Sequence, residues 1–241
     1  MPISCAAACW RTADSAVAAI FVTATGTDIG KTFVTAGLIR HLRAAKEPVG
    51  ALKPVVSGYG PSVVETSDPA VLLRAMDLPV SADYVERVSP WRFRAPLSPD
   101  MAAAREGRAI DFDELVDFSR RATADNPGTL FIEGVGGIMV PLDDTHTVLD
   151  WMTSLRAPIL LVTGSYLGSI SHTLTALHVL IRRNLKVAAV VVSESVASPV
   201  PLEETVTTFA RFSDKIGVVG LPRLPEGIFT HPAFGEIAAL L

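Results

Sequence analysis

The chain has 241 residues, of which 49% are hydrophobic and 19% charged, a composition typical of a folded domain with a sizeable core and not of a disordered chain. A formal net charge of −4 and the absence of any Lys/Arg-rich block argue against a general nucleic-acid-binding protein. Gly, Pro, Ser or a charge interrupts each apolar run before it reaches the length of a membrane span, so no membrane association is predicted.

The N-terminal segment contains both cysteines of the chain, Cys5 and Cys9. Two thiols without a neighbouring ligand set indicate neither a zinc site nor a disulfide framework, and they fit a reducing, cytoplasmic location. The segment lacks a basic start and has only a short apolar run, so a secretory signal is not predicted. We expect residues 1–18 to be an N-terminal extension that can be mobile, and residues 19–241 to form one domain.

The first strand is predicted at "AIFVTAT", which runs straight into "TGTDIGKT" and then into an amphipathic helix that stops at Glu47-Pro48. This order is typical of a phosphate-binding loop, in which backbone N–H groups and a helix N-terminus face the phosphates. Lys31 would contact the β- and γ-phosphates, and the Thr32 hydroxyl would bind Mg²⁺. The usual motif has glycine where Thr25 stands, so a chance Gly-Lys-Thr is the alternative.

A second strand is predicted to begin at Val49 in "VGALKPV" and to end in "KPVVSG". Lys53 in this stretch is either a surface lysine or a positive charge that stabilises transferred phosphoryl oxygens. Helices are predicted in "SDPAVLLRAM" after an N-cap at Ser67, in "APLSPDMAAAREG" from Pro99, and in "DFDELVDFSRRA" after Asp111.

Further apolar strands are predicted at "TLFIE", "PILLVT", "VAAVVVS" and "IGVVG", separated by helices such as "SHTLTALHVLIRR" and "PLEETVTTFARF". This alternation predicts a single-domain α/β fold like that of the P-loop NTPases, with a mostly parallel sheet and helices on both faces. Ligands of such sheets bind at the carboxyl ends of strands. Glu133 ends its strand before Gly134, Gly136 and Gly137, so it is either a metal ligand in the phosphate crevice or a solvated side chain at a turn.

Taken in order, these motifs resemble the dethiobiotin synthetase family along nearly the whole chain after residue 18. "FVTATGTDIGKT" is similar to the family's F-V-T-G-T-D-T-x-x-G-K-T, and "KPVVSG" to K-P-V-x-S-G. "SPDMAAAREGR" resembles S-P-H-x-A-A-x-x-E-G, and "IEGVGGIMVPL" resembles V-E-G-A-G-G-x-x-x-P-L. The loop is therefore interpreted as a family variant in which Ala24 replaces a glycine, a change that costs little if φ of Ala24 is negative.

The resemblance implies an ATP-dependent ligase of biotin biosynthesis with Mg²⁺ as cofactor. 7,8-Diaminononanoate and CO₂ (or bicarbonate) would form a carbamate, ATP would phosphorylate it, and the second amine would close the cyclic urea of dethiobiotin, releasing ADP and phosphate. The family also implies a homodimer, in which the start of one subunit's helix helps to bind the substrate carboxylate of the other.

The site residues carried over from the family fall into four groups. The catalytic residues would be Lys31, Lys53 and Thr27. The nucleotide would contact Asp28, Ile29, Gly30, Lys31, Thr32, Phe33, Ser193 and Pro222. The diamine and its carbamate would contact Thr27, Asp28, Lys53, Ser57, Gly136, Gly168, Ser169, Ile170 and Ser171. The metal ligands would be Thr32, Asp68 and Glu133.

Two further positions depart from the family pattern. Ser171 stands where the family usually has Asn, and its shorter side chain can still donate a hydrogen bond. Ser193 also replaces an Asn, whose amide can pair with both a donor and an acceptor of adenine. Ser193 followed by Glu194 cannot make that two-point contact, so the sequence leaves the preferred nucleoside triphosphate open.

Three other functions compete with this interpretation. A cobyrinate-type amide-forming ATPase usually carries a separate glutamine amidase part, for which 241 residues leave no room. A partitioning or switch ATPase, acting through protein partners, typically has a second lysine near the loop start, where this chain has Ala24 and Thr25. A degenerate nucleotide-binding homologue is the third alternative, because three family positions are changed.

Overall fold

The computed structural model describes residues 19–225 and 227–241. The predicted extension, residues 1–18, lies outside the described residues together with both cysteines. The described strands are β1 Ala19–Ala24, β2 Val49–Leu52, β3 Val55–Ser57, β4 Trp91–Phe93, β5 Thr129–Glu133, β6 Ile159–Gly164, β7 Val187–Ser193 and β8 Gly217–Leu221.

Nine α-helices lie within the described ranges: α1 Lys31–Ala44, α2 Asp68–Ala75, α3 Ala82–Val88, α4 Pro99–Ala104, α5 Phe112–Asp125, α6 Val148–Leu155, α7 Ser169–Arg182, α8 Leu202–Phe212 and α9 Pro232–Ala238. A 3₁₀ helix covers Pro61–Thr66. None of the helices in this part of the chain has the length and apolarity needed to cross a membrane.

The main sheet has six parallel strands in the order β2-β5-β1-β6-β7-β8. Its central strands are buried along almost their whole length, as expected when both faces of a parallel sheet are covered. On β1, Phe21 meets the ring of Trp151 of α6 edge-on, with the centroids 4.8 Å apart, and the Trp151 indole N–H donates to Ser119 Oγ at 3.2 Å. The predicted fold class is confirmed.

The prediction of one continuous second strand was wrong. The chain leaves the main sheet after Leu52, and Val55–Ser57 pairs instead with Trp91–Phe93 in a separate two-stranded parallel sheet. Pro54 between them has no N–H to donate to a ladder, so a continuous strand would be broken there. The Pro54 carbonyl accepts a hydrogen bond from Trp91 N at 3.0 Å, which starts the second pairing.

The predicted helix starts agree with the structure in position. At α5, the Asp111 carboxylate accepts a hydrogen bond from Glu114 N at 2.9 Å, as the sequence predicts. Ser67 precedes α2, but its hydroxyl donates to Val64 O at 2.7 Å and does not cap the helix.

Candidate active site

The carboxyl ends of three neighbouring strands bring the predicted site residues together. β5 lies between β2 and β1, so Lys53 after β2, Glu133 at the end of β5 and the loop after β1 meet at one edge of the sheet, where open α/β folds bind ligands. The crevice there is a cavity of about 900 Å³. Its lining includes Thr27, Asp28, Gly30, Lys31, Thr32, Phe33, Lys53, Ser57, Asp68 and Gly136.

The loop needs a glycine at Gly30, just before α1, and not at Ala24, at the end of β1. Ala24 is fully buried within β1 and does not have a positive φ, so the replacement of the family glycine is accommodated. Gly30 has a φ of 99°, and a Cβ placed there would lie 2.8 Å from Ser193 Oγ. Asp28 also has a positive φ, 56°, which bends the loop before α1 begins at Lys31. The alternative of a chance Gly-Lys-Thr is wrong, because the chain forms the strand, loop and helix of a phosphate-binding loop.

The Lys31 side chain is held by the phosphate loop and by the glycine turn after β5. Its side chain is buried, and Nζ donates to the carbonyl oxygens of Gly26 at 3.0 Å and Gly136 at 2.9 Å. Burial, reinforced by the positive charge of Lys53, lowers the pKa of Lys31 to about 8. Gly136 has a φ of 59° and follows β5, so the glycine turn after Glu133 closes around the ammonium group.

Lys53 is a buried lysine and not a surface one. Its side chain is 4% exposed, and Nζ lies 2.7 Å from Glu133 Oε1 and 3.0 Å from Asp68 Oδ2. Burial alone would lower the pKa of Lys53, but the two carboxylates outweigh it and hold that pKa above its usual value. Burial would conversely raise the pKa of Asp68, but the charge of Lys53 keeps that pKa below its usual value.

Glu133 connects this ion pair to the loop. Glu133 Oε1 also accepts a hydrogen bond from Thr32 Oγ1 at 2.6 Å, whereas its Oε2 is buried with no hydrogen-bond partner among the described residues. Thr32, Asp68 and Glu133 therefore supply one hydroxyl and two carboxylates, the hard oxygen ligands that suit Mg²⁺.

This donor set would leave part of the coordination shell of Mg²⁺ to other ligands. No cluster of three or more His, Cys, Asp or Glu side chains that could hold a metal occurs in residues 19–225 and 227–241. A magnesium ion usually keeps several waters and binds through one or two carboxylates plus substrate phosphates. The set fits an ion that binds together with a nucleotide.

A second cavity, of about 640 Å³, adjoins the first across the phosphate loop. Its lining includes seven of the eight residues predicted to contact the nucleotide: Asp28, Ile29, Gly30, Thr32, Phe33, Ser193 and Pro222. Sequence reasoning missed Tyr166 and Phe229, which also line this cavity, although aromatic residues in loops after strands could have indicated a base-stacking surface. The Phe229 ring packs on Phe33 with the centroids 5.1 Å apart.

The Glu194 carboxylate, in the wall of the second cavity, is hydrogen-bonded to the backbone. Its Oε2 accepts a hydrogen bond from Arg223 N at 2.9 Å, and Glu194 N donates to Leu221 O at 2.9 Å. These bonds join the end of β7 to the segment after β8 and shape the cavity wall.

The four residues predicted around the start of α7 lie apart from both cavities of this chain. Gly168 has a φ of 98°, Ser169 is buried, and Ile170 and Ser171 are exposed. Their assignment to the substrate site of another subunit stays a prediction.

Two serine side chains that line the first cavity have hydroxyls without a partner in the described part of the chain. Ser57 Oγ and Ser98 Oγ are both buried, and neither is hydrogen-bonded within the described residues. Buried hydroxyls without partners are uncommon, so Ser57 and Ser98 are candidates to bind a polar ligand. Ser98 was missed as a site residue because "SPD" reads equally well as an ordinary helix start.

The buried ammonium of Lys31 predicts a pH-dependent stability difference. Between about pH 8 and 10.5 the unfolded chain keeps a proton on Lys31 that the folded chain has lost, so this group makes folding more favourable as the pH rises. We expect the free energy of unfolding of the wild type, minus that of Lys31→Met, to increase by about 2 kcal/mol from pH 7 to about pH 9.5. Urea titrations of both proteins measure it, and a constant difference would contradict it.

Known proteins resemble the chain in sequence. A family model described as an AAA domain matches residues 18–227. The chain is 53% identical over 186 residues to the ATP-dependent dethiobiotin synthetase BioD of Acidiphilium cryptum, with 77% of this chain and 83% of that protein covered. It is 51% identical over 198 residues to the protein of the same name from Methylobacterium nodulans, with 80% and 88% covered.

Solved structures resemble the chain in fold. The cell division ATPase MinD of Pyrococcus furiosus superposes with a TM-score of 0.56 at 17% identity, with 92% of this chain and 97% of that one covered. A ParA family ATPase from Chlorobium tepidum gives 0.52 at 12% identity, with 93% and 91% covered. These likenesses show the P-loop α/β fold alone, whereas the high identity to the two BioD proteins shows that this chain belongs to the dethiobiotin synthetase family.

Proposed function

We propose that the chain is an ATP-dependent dethiobiotin synthetase, which joins 7,8-diaminononanoate and CO₂ into a cyclic urea with release of ADP and phosphate. The observation that carries the proposal is the pair of buried lysines, Lys31 and Lys53, beside two carboxylates where the two cavities meet. The high identity to proteins of that name supports the substrates. We also propose that residues 19–241 act as one catalytic domain.

The two cavities divide the substrates between them. The cavity of about 640 Å³ would take the base and sugar of the nucleotide, with Ile29, Phe33, Ser193 and Pro222 in contact. The backbone N–H groups around Gly30 would bind the phosphates. The cavity of about 900 Å³ would hold the diamine and its carbamate against Thr27, Asp28 and Ser57. The γ-phosphate would then lie between the two cavities, close to both lysines.

The reaction proceeds in three steps. One amine of the diamine attacks CO₂, forms a C–N bond and releases a proton to leave a carbamate. A carbamate oxygen attacks the γ-phosphorus, the bond to the β-phosphate oxygen breaks, and ADP leaves. The second amine attacks the carbonyl carbon of the mixed anhydride, a C–N bond forms, the C–O bond to phosphate breaks, and the amine loses its proton to solvent.

The contribution of the protein is positioning and charge stabilisation. Negative charge is concentrated on the carbamate and on the transferred phosphoryl group, and two ammonium groups in a buried site lower its energy more than they would in water. Fixed placement of the amine, carbamate and phosphate supplies much of the remaining rate enhancement. No covalent nucleophile on the protein is needed.

Thr32, Asp68 and Glu133 would hold Mg²⁺. When bound, the ion would neutralise charge on the nucleotide phosphates. The unpartnered Oε2 of buried Glu133 supports this assignment, because a buried carboxylate oxygen is normally satisfied by a donor or a cation.

We further propose that the active protein is a homodimer. Residues Gly168 to Ser171 at the start of α7 would then bind the substrate carboxylate in the partner subunit's cavity through helix N–H groups. This explains why these residues lie apart from the cavities of their own chain.

The proposal is tested with purified protein, Mg²⁺, bicarbonate and 7,8-diaminononanoate, with ATP, CTP and GTP in parallel reactions. We expect phosphate release that requires both diamine and bicarbonate, with dethiobiotin detected by mass spectrometry in equal amount. Hydrolysis independent of the diamine would favour a switch ATPase. No turnover with any nucleotide would favour a degenerate nucleotide-binding homologue.

The two unpartnered hydroxyls make a further prediction. Ser57→Ala and Ser98→Ala should each raise KM for the diamine about tenfold with a smaller change in kcat, because each removes one hydrogen bond to bound substrate. The control is Ser81→Ala, which removes a hydroxyl that caps α3 by accepting from Tyr84 N. That variant should lose stability and keep its KM. An unchanged KM for the diamine in Ser98→Ala would contradict a role of Ser98 in substrate binding.

A further inference from the structure

We propose that Lys53 is an internal counter-ion, whose ammonium group occupies the cation position of the nucleotide-free chain and is displaced when Mg²⁺ arrives with a nucleotide. Free Mg²⁺ would then bind poorly, and Lys53 would be released into the cavity only when the metal–nucleotide complex is in place. The inference rests on the proposed function in one respect: the assignment of Thr32, Asp68 and Glu133 as metal ligands.

The geometry brings the candidate metal ligands to one ammonium group. Lys53 Nζ lies 2.7 Å from Glu133 Oε1 and 3.0 Å from Asp68 Oδ2. The same Glu133 Oε1 accepts the Thr32 hydroxyl at 2.6 Å. One oxygen of each candidate carboxylate, Glu133 Oε1 and Asp68 Oδ2, is thus engaged with Lys53, while Glu133 Oε2 is buried without a partner among the described residues.

Burial makes a cation necessary at this position. Glu133 is fully buried, and the Lys53 side chain is only 4% exposed. A buried carboxylate without a partner charge is strongly unfavourable. Lys53 contacts both carboxylates directly and supplies the positive charge nearest to them.

The ammonium group and a metal ion cannot share these oxygens. A Mg²⁺ ion binds oxygen at about 2.1 Å, and a lysine nitrogen in contact with the same Glu133 Oε1 would be repelled and crowded out. The flexible four-carbon stem of lysine lets the charge move without a backbone change. Lys53 already lines the cavity of about 900 Å³, so displacement would direct its ammonium group toward the proposed carbamate and γ-phosphate.

Lys31 provides a matched contrast within the same cluster. It is also a buried lysine, yet its Nζ donates to the carbonyl oxygens of Gly26 and Gly136 and to neither carboxylate. Loss of the Lys31 charge should therefore not free a metal ligand, whereas loss of the Lys53 charge should.

The experiment measures metal binding to the nucleotide-free protein. Mn²⁺ is titrated into wild type, Lys53→Met and Lys31→Met and followed by electron paramagnetic resonance, and thermal unfolding is recorded with Mg²⁺ and with EDTA. We expect Lys53→Met to bind Mn²⁺ at least tenfold more tightly than the wild type, and its Tm to rise more with Mg²⁺. Lys31→Met should bind like the wild type. A Lys53→Met affinity within twofold of the wild type would overturn the proposal.

Two controls keep the result specific. The double variant Lys53→Met/Glu133→Gln lacks one ligand charge, so it should lose the gain in affinity; an undiminished gain would place the new metal site elsewhere and count against the proposal. If Lys53→Met folds only with Mg²⁺ and unfolds on addition of EDTA, the metal has replaced the missing charge, as expected. Failure of both Lys53→Met and Lys53→Gln to fold even with Mg²⁺ would contradict it.

The outcome is independent of the synthetase assay. Metal affinity is measured without diamine, bicarbonate or nucleotide, so a protein that makes no dethiobiotin can still show the gain in Lys53→Met. Conversely, an active synthetase in which Lys53→Met gains no affinity would retain the proposed function and lose this inference.

Discussion

Replacement of Lys31 by methionine is expected to lower kcat/KM for ATP by about 10³-fold while the fold is retained. The Lys31 ammonium group is buried between the carbonyl oxygens of Gly26 and Gly136, and Lys31 lines the cavity of about 900 Å³ next to which the γ-phosphate is proposed to lie. A buried positive charge aimed at a transferred phosphoryl group contributes several kcal/mol to the transition state, which corresponds to that loss. The methionine stem has a similar length and fills the same space without the charge.

Stability separates this effect from misfolding. Burial lowers the pKa of Lys31 to about 8, so the charged side chain opposes folding at pH 7. We therefore expect Lys31→Met to unfold at a urea midpoint no lower than that of the wild type. Phosphate release and urea titration of the same preparation check both statements. Retained activity, or loss of activity together with a collapsed midpoint, would contradict the assigned role.

The second large effect is expected for Gly30→Ala, which should weaken nucleotide binding about 10- to 100-fold. Gly30 has a φ of 99°, where a side chain costs about 1–2 kcal/mol. An added Cβ would also lie 2.8 Å from Ser193 Oγ, so the Ser193 side chain must rotate or the loop must shift. The backbone strain and the close contact would both displace the backbone N–H groups proposed to bind the phosphates. Each 1.4 kcal/mol of lost binding free energy is a tenfold loss of affinity.

Gly26→Ala is the matched control in the same loop. A Cβ at Gly26 would meet only the side chain of Ile29, at 3.7 Å, and φ there is not positive. Its nucleotide affinity, measured by calorimetry with a non-hydrolysable analogue, should stay within about threefold of the wild type. The double variant Gly30→Ala/Ser193→Gly should recover only part of the loss, because it relieves the contact and leaves the φ strain. Equal effects of the two single variants would refute the distinction.

Local patterns in the sequence predicted the framework of the site. Strand and helix alternation predicted the parallel α/β sheet, because apolar runs and helical spacing are set by neighbouring residues. The phosphate loop followed from its position between a buried strand and an amphipathic helix. The rule that ligands lie at the carboxyl ends of strands made Glu133 and Lys53 candidates, but it left open whether each is a site residue or a surface side chain.

Tertiary structure decided what depends on residues distant in the chain. The pairing of Val55–Ser57 with Trp91–Phe93 moved part of the predicted second strand into a separate sheet. Ser98 entered the cavity because the fold brings it there, and nothing in "SPD" distinguishes such a serine from one at any helix start. The positive charge that neutralises Glu133 comes from Lys53, 80 residues earlier. Sequence periodicity predicts which face of a helix or strand is buried, because it depends on neighbouring residues. It does not predict which distant residue will lie beside a buried charge, because that depends on how the strands pair.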